Sequence, residues 1–428
     1  MYHLRGSLKH HEDHAVNVYP ILVALRRHKA AVILIVLQIA LTLAIVANAL
    51  FIIGHTIERM SSQTGVEEQG LIWVLQKLPA QSGGDDAAVI ERLDALQRTD
   101  LETLRKLPDV QDVAATTSVP QLHGDDAGDI SLDADRKGKL VRAAYYYGDE
   151  HLRATFGLHL IAGRDFFASE IQHGHGSPGS LVVIVSKPIA DQLFPGGNAL
   201  GQSMYQDGKP ATIVGIVERL QTPMSKDSDG SWALNSVIEP LRAGVFWPSY
   251  VVRARAGHSV EAIHEIHKAL FAVNPMRHMP EPGAGIHLLS EARARAFGQE
   301  RGIALLMSVI CVILLSVTAA GIVGLSSFWV DQRTRQIGVR RAIGARKIDI
   351  LRYFHMESLL IAGVGTVVGA LFAFGLNEWL MTHYAMMPLP LFYVAIGVLA
   401  MLLLGQAAVL VPARRASNVP PVVAVRSA

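Results

Sequence analysis

Three stretches of the sequence, Ala30 to Ile57, Gly302 to Val330 and Ser358 to Asn377, contain no Asp, Glu, Lys or Arg. A helix rises about 1.5 Å per residue, so about 20 apolar residues cross a hydrocarbon core of roughly 30 Å, and each stretch suffices. A fourth run, Leu391 to Val411, follows the third after a short segment whose Pro388 and Pro390 turn the chain back. The pattern predicts four membrane-spanning helices, at 30–54, 301–330, 357–381 and 391–411. The first is preceded by Arg26, Arg27, His28 and Lys29, as a secretory leader would be. It is too long for the apolar core of a leader and no A-x-A-like site closes it, so it reads as an uncleaved anchor.

The rhythm changes between the first and second spans, over 55–300. Asp86 to Leu107 places Ile90, Leu93, Leu96, Leu101 and Leu104 at helical spacing, and His258 to Val273 does the same with Ile263, Ile266, Leu270 and Phe271. Short apolar or alternating runs predict strands at Val110 to Val119, Val141 to Tyr147, Leu181 to Val185, Ala211 to Val217 and Val245 to Arg255. Gly124 to Gly128 and Gln172 to Gly179, rich in Gly, Asp and His, predict surface loops. The charged, Ala-rich segment Ser290 to Arg301 predicts an outward stalk on the second spanning helix. The fold class is therefore an α-helical membrane protein with four transmembrane helices and a large inserted α+β extracytoplasmic domain.

Composition agrees, since 50% of the 428 residues are apolar and 18% charged. Charge then sets the orientation, because Lys and Arg beside a span are retained in the cytoplasm. Arg26, Arg27 and Lys29 precede the first span, and Arg333, Arg335, Arg340, Arg341, Arg346, Lys347 and Arg352 fill the segment between the second and third. Arg414, Arg415 and Arg426 follow the fourth, whereas the short loop 382–390 has neither residue type. Both termini (1–29 and 412–428) and the segment 331–356 are thus expected in the cytoplasm, with 55–300 outside it. The sole cysteine, Cys311, falls inside the second span, so no intrachain disulfide staples the outer domain. A net charge of +2 argues against a nucleic-acid partner, because the basic clusters already serve as topology signals.

The segment from Asp331 to Arg352 carries more than charge. Ile337, Val339, Ile343, Ile348 and Leu351 are interleaved with cations, and the small residues Gly338, Ala342, Gly344 and Ala345 allow another protein to approach closely. From charge alone, the alternative is a basic loop lying on anionic lipid. The order of residues, Gln336-Ile-Gly-Val-Arg-Arg-Ala-Ile-Gly-Ala345 followed by Arg-Lys-Ile-Asp-Ile-Leu-Arg-Tyr-Phe-His-Met-Glu-Ser358, resembles the signature of FtsX-like and MacB-type ABC permeases.

Three further regions carry the resemblance. Tyr19 to Lys29 looks like the amphipathic helix these permeases lay on the inner membrane face, and Pro412 to Arg426 like their usual C-terminal run. Phe156 to Phe166, Val182 to Gly201 and Thr212 to Val217 resemble the MacB-type periplasmic core. The resemblance implies that Gln336, Ile337, Gly338, Arg340, Arg341, Ala342, Gly344 and Ala345 form the cytoplasmic element that couples to an ATPase subunit. Gln336 departs from the family pattern, where a glutamate is usual, which leaves open a pseudo-equivalent half in a heteromeric pair.

Other chemistries find little support. Gly196 to Ser203 has the glycine spacing of a phosphate loop, but Gln202 stands where the lysine belongs. The fused members of the family carry an ATPase domain before the first span, and only 1–29 precedes it here. Among 18 histidines, His173 with His175, His264 with His267, and His10, His11 and His14 suggest no closed ligand set. No G-x-S-x-G elbow is present. Gly363, Gly365 and Gly369 create close-packing faces on the third span, for packing within the chain or between two chains.

The resemblance thus implies a non-catalytic permease subunit in a bacterial inner membrane, driving efflux of antibiotic, peptide or similar substrates. This chain would hold no cofactor, with ATP and Mg in the partner. The implied partners are an ABC ATPase subunit, a second permease subunit (identical or sister) and membrane lipids, with room for a periplasmic adaptor and an outer-membrane channel. The same architecture also serves lipoprotein release or control of a cell-wall hydrolase. A membrane-anchored sensor without an ATPase is the more distant alternative.

Overall fold

A computed structural model describes residues 29–77, 87–124, 126–174, 181–223, 231–243, 248–279, 285–384 and 388–420. The expected amphipathic helix at Tyr19 to Lys29, apart from Lys29 itself, and the C-terminal run beyond 420 lie outside them. The chain divides into two compact units, one from 1–58 with 300–428 and the other from 59–299. In chain order the elements are α1 (Lys29–Ser61), β1 (Leu71–Leu75), α2 (Ala87–Arg105), β2 (Val110–Thr116), β3 (Ala127–Ser131) and β4 (Val141–Gly148). There follow α3 (Leu152–Phe156), β5 (Leu160–Gly163), β6 (Gln172–Gly174), β7 (Val182–Ser186), α4 (Lys187–Leu193), β8 (Ser203–Gln206) and β9 (Lys209–Val217). Then come β10 (Ser236–Ala243), β11 (Ser249–Ala254), α5 (Ser259–Val273), β12 (Ile286–Leu288), α6 (Leu289–Ala296), α7 (Gly298–Gln332), α8 (Thr334–Ala342), α9 (Lys347–Tyr384) and α10 (Leu391–Ser417).

In the first unit, α1, α7, α9 and α10 are each long and apolar enough to cross a membrane. All four helices extend past their uncharged runs, because helix propensity continues into polar residues where apolarity does not. The packing of α1 is set by small residues opposite it. A Cβ added to Gly365 would sit 2.7 Å from Ile39, and one on Gly397 would sit 2.7 Å from Leu43. Polar side chains add directional links, with Thr42 and Thr318 hydroxyls 2.9 Å apart and the Asn48 amide donating to the Ala373 carbonyl at 3.1 Å. Such bonds replace water partners that a membrane interior lacks.

The second unit is built on one twelve-stranded sheet. Strands β4, β3, β8, β9, β7 and β10 follow one another, and β10 pairs back onto β4, closing a ring. The β4–β10 and β7–β9 pairs are parallel and the other ring pairs antiparallel. The interior of the ring is filled by Val141, Ala143, Tyr145, Val183, Val185, Ile213 and Val237 among others. A flanking antiparallel sheet, β12–β1–β11–β2, joins the ring through the Thr116–Gly148 pair. Its apolar face is covered by α2 and α5 through Leu101, Leu104, Ala262, Ile266 and Leu270.

Two expected loops are partly strand. Gly128 belongs to β3, where a Cβ would come within 3.1 Å of the Tyr145 ring, and Gln172–Gly174 form β6 beside β10. Gly128 reports close packing rather than a turn. The stalk expected over Ser290 to Arg301 is interrupted. The short helix α6 ends at Ala296 with Phe297, buried at 4% exposure, as C-cap, and α7 starts at the following glycine.

Candidate coupling site

The segment read as a basic loop folds as helix, turn and helix. Its first helix, α8, ends at Ala342 with Ile343 as C-cap, after which Gly344 adopts φ +108°. The Ala345 N–H donates to the Arg340 carbonyl at 3.1 Å and the Gly344 N–H to the Arg341 carbonyl at 3.2 Å. These are the two bonds of a Schellman stop, which satisfies carbonyls the helix end would orphan and favours glycine at the left-handed position. One residue later α9 is capped in turn, as the Asp349 carboxylate accepts from the Arg346 N–H at 3.0 Å. The Gly-Ala-Arg-Lys sequence is thereby a rigid corner rather than a tether.

The expected site residues divide by exposure. Ile337 and Gly338 are buried, with Ile337 in the core shared by Ile350, Phe354, Ala413 and Ala416. Gln336, Arg340, Ala342 and Gly344 are exposed, and Arg341 and Ala345 half-buried. Arg341 donates to the Val419 carbonyl at 2.6 Å and Lys347 to the Asn418 side chain at 2.8 Å, so the corner is held against the end of α10. The most outward apolar side chain is one not singled out as a site residue: Ile343 is 81% exposed, with Val339 at 43% and Ile348 at 49%. The cations Arg335, Arg340, Arg346 and Lys347 are exposed around them. An apolar tip rimmed by positive charge is suited to a protein pocket with an acidic border.

A second feature escaped the sequence. Arg333, between α7 and α8, places one guanidinium nitrogen 3.1 Å from each oxygen of Glu357 on α9, whose side chain is 2% exposed. The same nitrogen lies 3.5 Å from the Tyr353 hydroxyl, and the guanidinium lies 5.6 Å from the Trp329 ring. The signal available was an acidic residue, Glu357, at the border of an uncharged span and opposite a basic segment.

Elsewhere, exposed His173 pairs with Glu91 at 3.2 Å, while His264 and His267 are exposed on α5. His175, His10, His11 and His14 lie outside the described residues. Among the described residues no cluster of three or more His, Cys, Asp or Glu is placed to hold a metal.

Four helices long and apolar enough to cross a membrane and an α/β unit define a multi-pass membrane protein with a large α/β domain. Residues 308–421 match the FtsX-like permease C-terminal family, and residues 32–270, more than half of the chain, match the MacB-like periplasmic core domain. The chain belongs to the MacB/FtsX-like ABC transporter permease family.

It is 26% identical over 270 residues to the macrolide export ATP-binding/permease protein MacB of Chromobacterium violaceum, covering 62% of this chain and 40% of that protein. It is 27% identical over 331 residues to the pyoverdine export ATP-binding/permease protein PvdT of Pseudomonas fluorescens, covering 74% of this chain and 48% of that one. The chain thus spans about half the length, or less, of these relatives. The periplasmic region of MacB from Actinobacillus actinomycetemcomitans aligns at 17% identity with a TM-score of 0.32, over 54% of this chain and 92% of that one.

Proposed function

We propose that this chain is the permease subunit of an ABC transporter, and that the corner between α8 and α9 docks on a separate ATPase subunit. The observation that carries the reading is Ile343, 81% exposed at the tip of a doubly capped turn. An apolar side chain held there by Schellman and N-terminal capping bonds is preorganised for a pocket, which lowers the entropic cost of binding. Gln336, Arg340 and Ala342 border that tip, Arg341 and Ala345 brace it, and Ile337 and Gly338 seat α8 on the bundle. ATP and Mg would be bound by the partner.

In this reading both termini and the corner are cytoplasmic, and the α/β unit is periplasmic, as the Lys and Arg flanks favour. Two permease subunits, identical or sister, pair with two ATPases. ATP binding favours one arrangement of the periplasmic units over another, which is what coupling requires. The names of MacB and PvdT relatives, which export a macrolide and pyoverdine, support efflux of antibiotic, peptide or similar molecules. Lipoprotein release and hydrolase control use the same architecture and differ in the client.

The test is copurification. Tagged full-length chain, expressed with its neighbouring genes and solubilised in detergent, is expected to bring an ATPase with it. Ile343→Glu combined with Arg346→Glu alters two exposed side chains and is expected to lose that partner. An unmodified chain that brings no ATPase, or a double variant that retains it fully, overturns the docking assignment.

A further inference from the structure

We propose that Arg333 and Glu357 are positioning residues that lock the foot of α7, the helix α8 and the start of α9 into one moving body. The inference deepens the docking reading and rests on it for the source of motion. Its geometry stands independently.

The argument begins with how α7 is held. Much of its length is exposed, as at Leu305 (68%), Val312 (63%), Ile313 (55%) and Val317 (55%). Its buried residues are Cys311, Thr318, Ile322, Ser326, Trp329 and Val330, so they crowd toward the end that meets α8. Apolar packing there is non-directional and tolerates sliding. The ion pair does not. One nitrogen of Arg333 sits 3.1 Å from both oxygens of Glu357, and both side chains are largely buried, at 14% and 2% exposure. Separating them would leave a carboxylate desolvated without a counter-charge, so the helices that carry them move together or not at all.

The contact continues into the docking helix. Tyr353, beside Glu357 on α9, has its hydroxyl 3.5 Å from Arg333 and its ring 5.7 Å from the Arg340 guanidinium on α8. The Trp329 ring of α7 lies 5.6 Å from the Arg333 guanidinium. Four side chains therefore connect α7, α8 and α9 around one buried carboxylate. A displacement imposed at the corner is delivered to α7, whose apolar stretch is the least buried of the four spanning helices among the described residues.

The test places spin labels on cysteines at Arg352 of α9, which is exposed and outside the proposed docking residues, and at Val312 of α7, with Cys311→Ser, in the full-length chain. From Val312 to the end of α7 at Gln332 the helix rises about 30 Å, within range of pulsed electron-spin distance measurement. The unaltered pair is expected to give one narrow distance distribution that stays put when the copurified ATPase binds a non-hydrolysable ATP analogue.

Glu357→Gln keeps the side-chain volume and removes the charge. It is expected to broaden the distribution and make it shift with the analogue, while the ATPase still copurifies because the exposed corner is untouched. That split separates positioning from a merely structural role, which would not make the distance nucleotide-dependent. If Glu357→Gln elutes as aggregate, Arg333→Lys is measured instead, since it retains charge but loses the planar guanidinium that meets Tyr353 and the Trp329 ring.

A variant distribution that superimposes on the unaltered one overturns the lock, as does an unaltered chain whose distance shifts with the analogue. If no ATPase copurifies with the unaltered chain, the docking reading fails. The widths measured without nucleotide then decide the lock by themselves, narrow against broad supporting it and equal widths overturning it.

Discussion

Gly369 of α9 lies so close to Ala40 of α1 that a Cβ on the glycine would stand 2.9 Å from both the Ala40 Cα and its carbonyl oxygen. Backbone atoms cannot swing aside as a side-chain tip can, so the small-residue face of α9 is occupied within the chain, by α1. Gly369→Val is expected to lower the thermal unfolding midpoint in detergent by several degrees. Gly363→Ala, where an added Cβ meets nothing within 4 Å and alanine favours the helix, should not lower it. Static light scattering or fluorescence during a thermal ramp compares the two.

In the α/β unit, Arg277 donates to both carboxylate oxygens of Asp100 at 2.9 and 2.7 Å, with both side chains at 0% exposure. Tyr250 donates to the same carboxylate at 2.9 Å. Asp100 sits on α2, Tyr250 on β11 and Arg277 just beyond α5, so the pair ties the covering helices to the sheet. Arg277→Leu is expected to destabilise this unit by about 3–5 kcal/mol, because it leaves a buried carboxylate unpaired. Hydrogen exchange across α2 and β11 should rise accordingly, and no change there would contradict the assignment.

The same unit carries a pH response. Burial pushes the Asp149 carboxyl up to about 6 despite the Arg105 guanidinium 3.1 Å away. The hydrogen bond from His151 to Asp112, 2.9 Å long, raises the His151 imidazole above its usual range. Burial acts to raise Asp112, but His151, the Val113 N–H and the Thr155 hydroxyl together hold it below the usual carboxylate range. The signs follow from linkage. Asp149 and His151 both bind protons more tightly folded than unfolded, so stability should rise as pH falls toward about 6.5 through His151, and on from about 6 to about 4 through Asp149. Below about 4, Asp112 becomes protonated and its contribution is lost. Urea midpoints of the full chain in detergent, followed by hydrogen exchange in β2 and β4, measure this. Asp149→Asn is expected to flatten the slope between about 4 and 6.

Gly344 is a conformational requirement rather than a steric one. It holds φ +108° and an added Cβ would meet nothing within 4 Å. Gly344→Val forces a β-branched residue into a region it avoids, at a cost of about 1–2 kcal/mol or more, and should loosen the corner before it unfolds the bundle. The expected outcome is weakened ATPase copurification with an unfolding midpoint close to that of the unaltered chain.

The spanning helices were legible because a membrane demands long uncharged runs, and because the runs here are clean. The strands of the α/β unit were legible where they alternate or carry β-branched residues, as in Val182–Ser186 and Lys209–Val217. No element is read from the sequence at Leu71–Leu75. The segment is a continuous apolar strand paired on both sides by β11 and β12, and five residues give no period to read.

Helix α2 shows the converse problem. Its buried face includes Asp94, Gln97 and Asp100 beside Leu93, Leu101 and Leu104. Those polar groups are satisfied by long-range partners, Arg242, the Ala243 carbonyl and Arg277. No local pattern announces them. At the candidate site, the resemblance singled out the residues that build the corner. It passed over Ile343, which projects from it, and Glu357, which holds it, because exposure and pairing arise only once the helices are packed.

The docking of the α8–α9 corner on an ATPase is tested most directly by photocrosslinking. A photoreactive amino acid is incorporated at position 343, and separately at position 260, where Val260 of the α/β unit is 74% exposed. Illumination of cells that express the chain with its neighbouring genes is expected to give an ATPase adduct from position 343 and none from position 260. Adducts from 343 that contain only lipid, or an ATPase adduct from 260 and not from 343, would contradict the account.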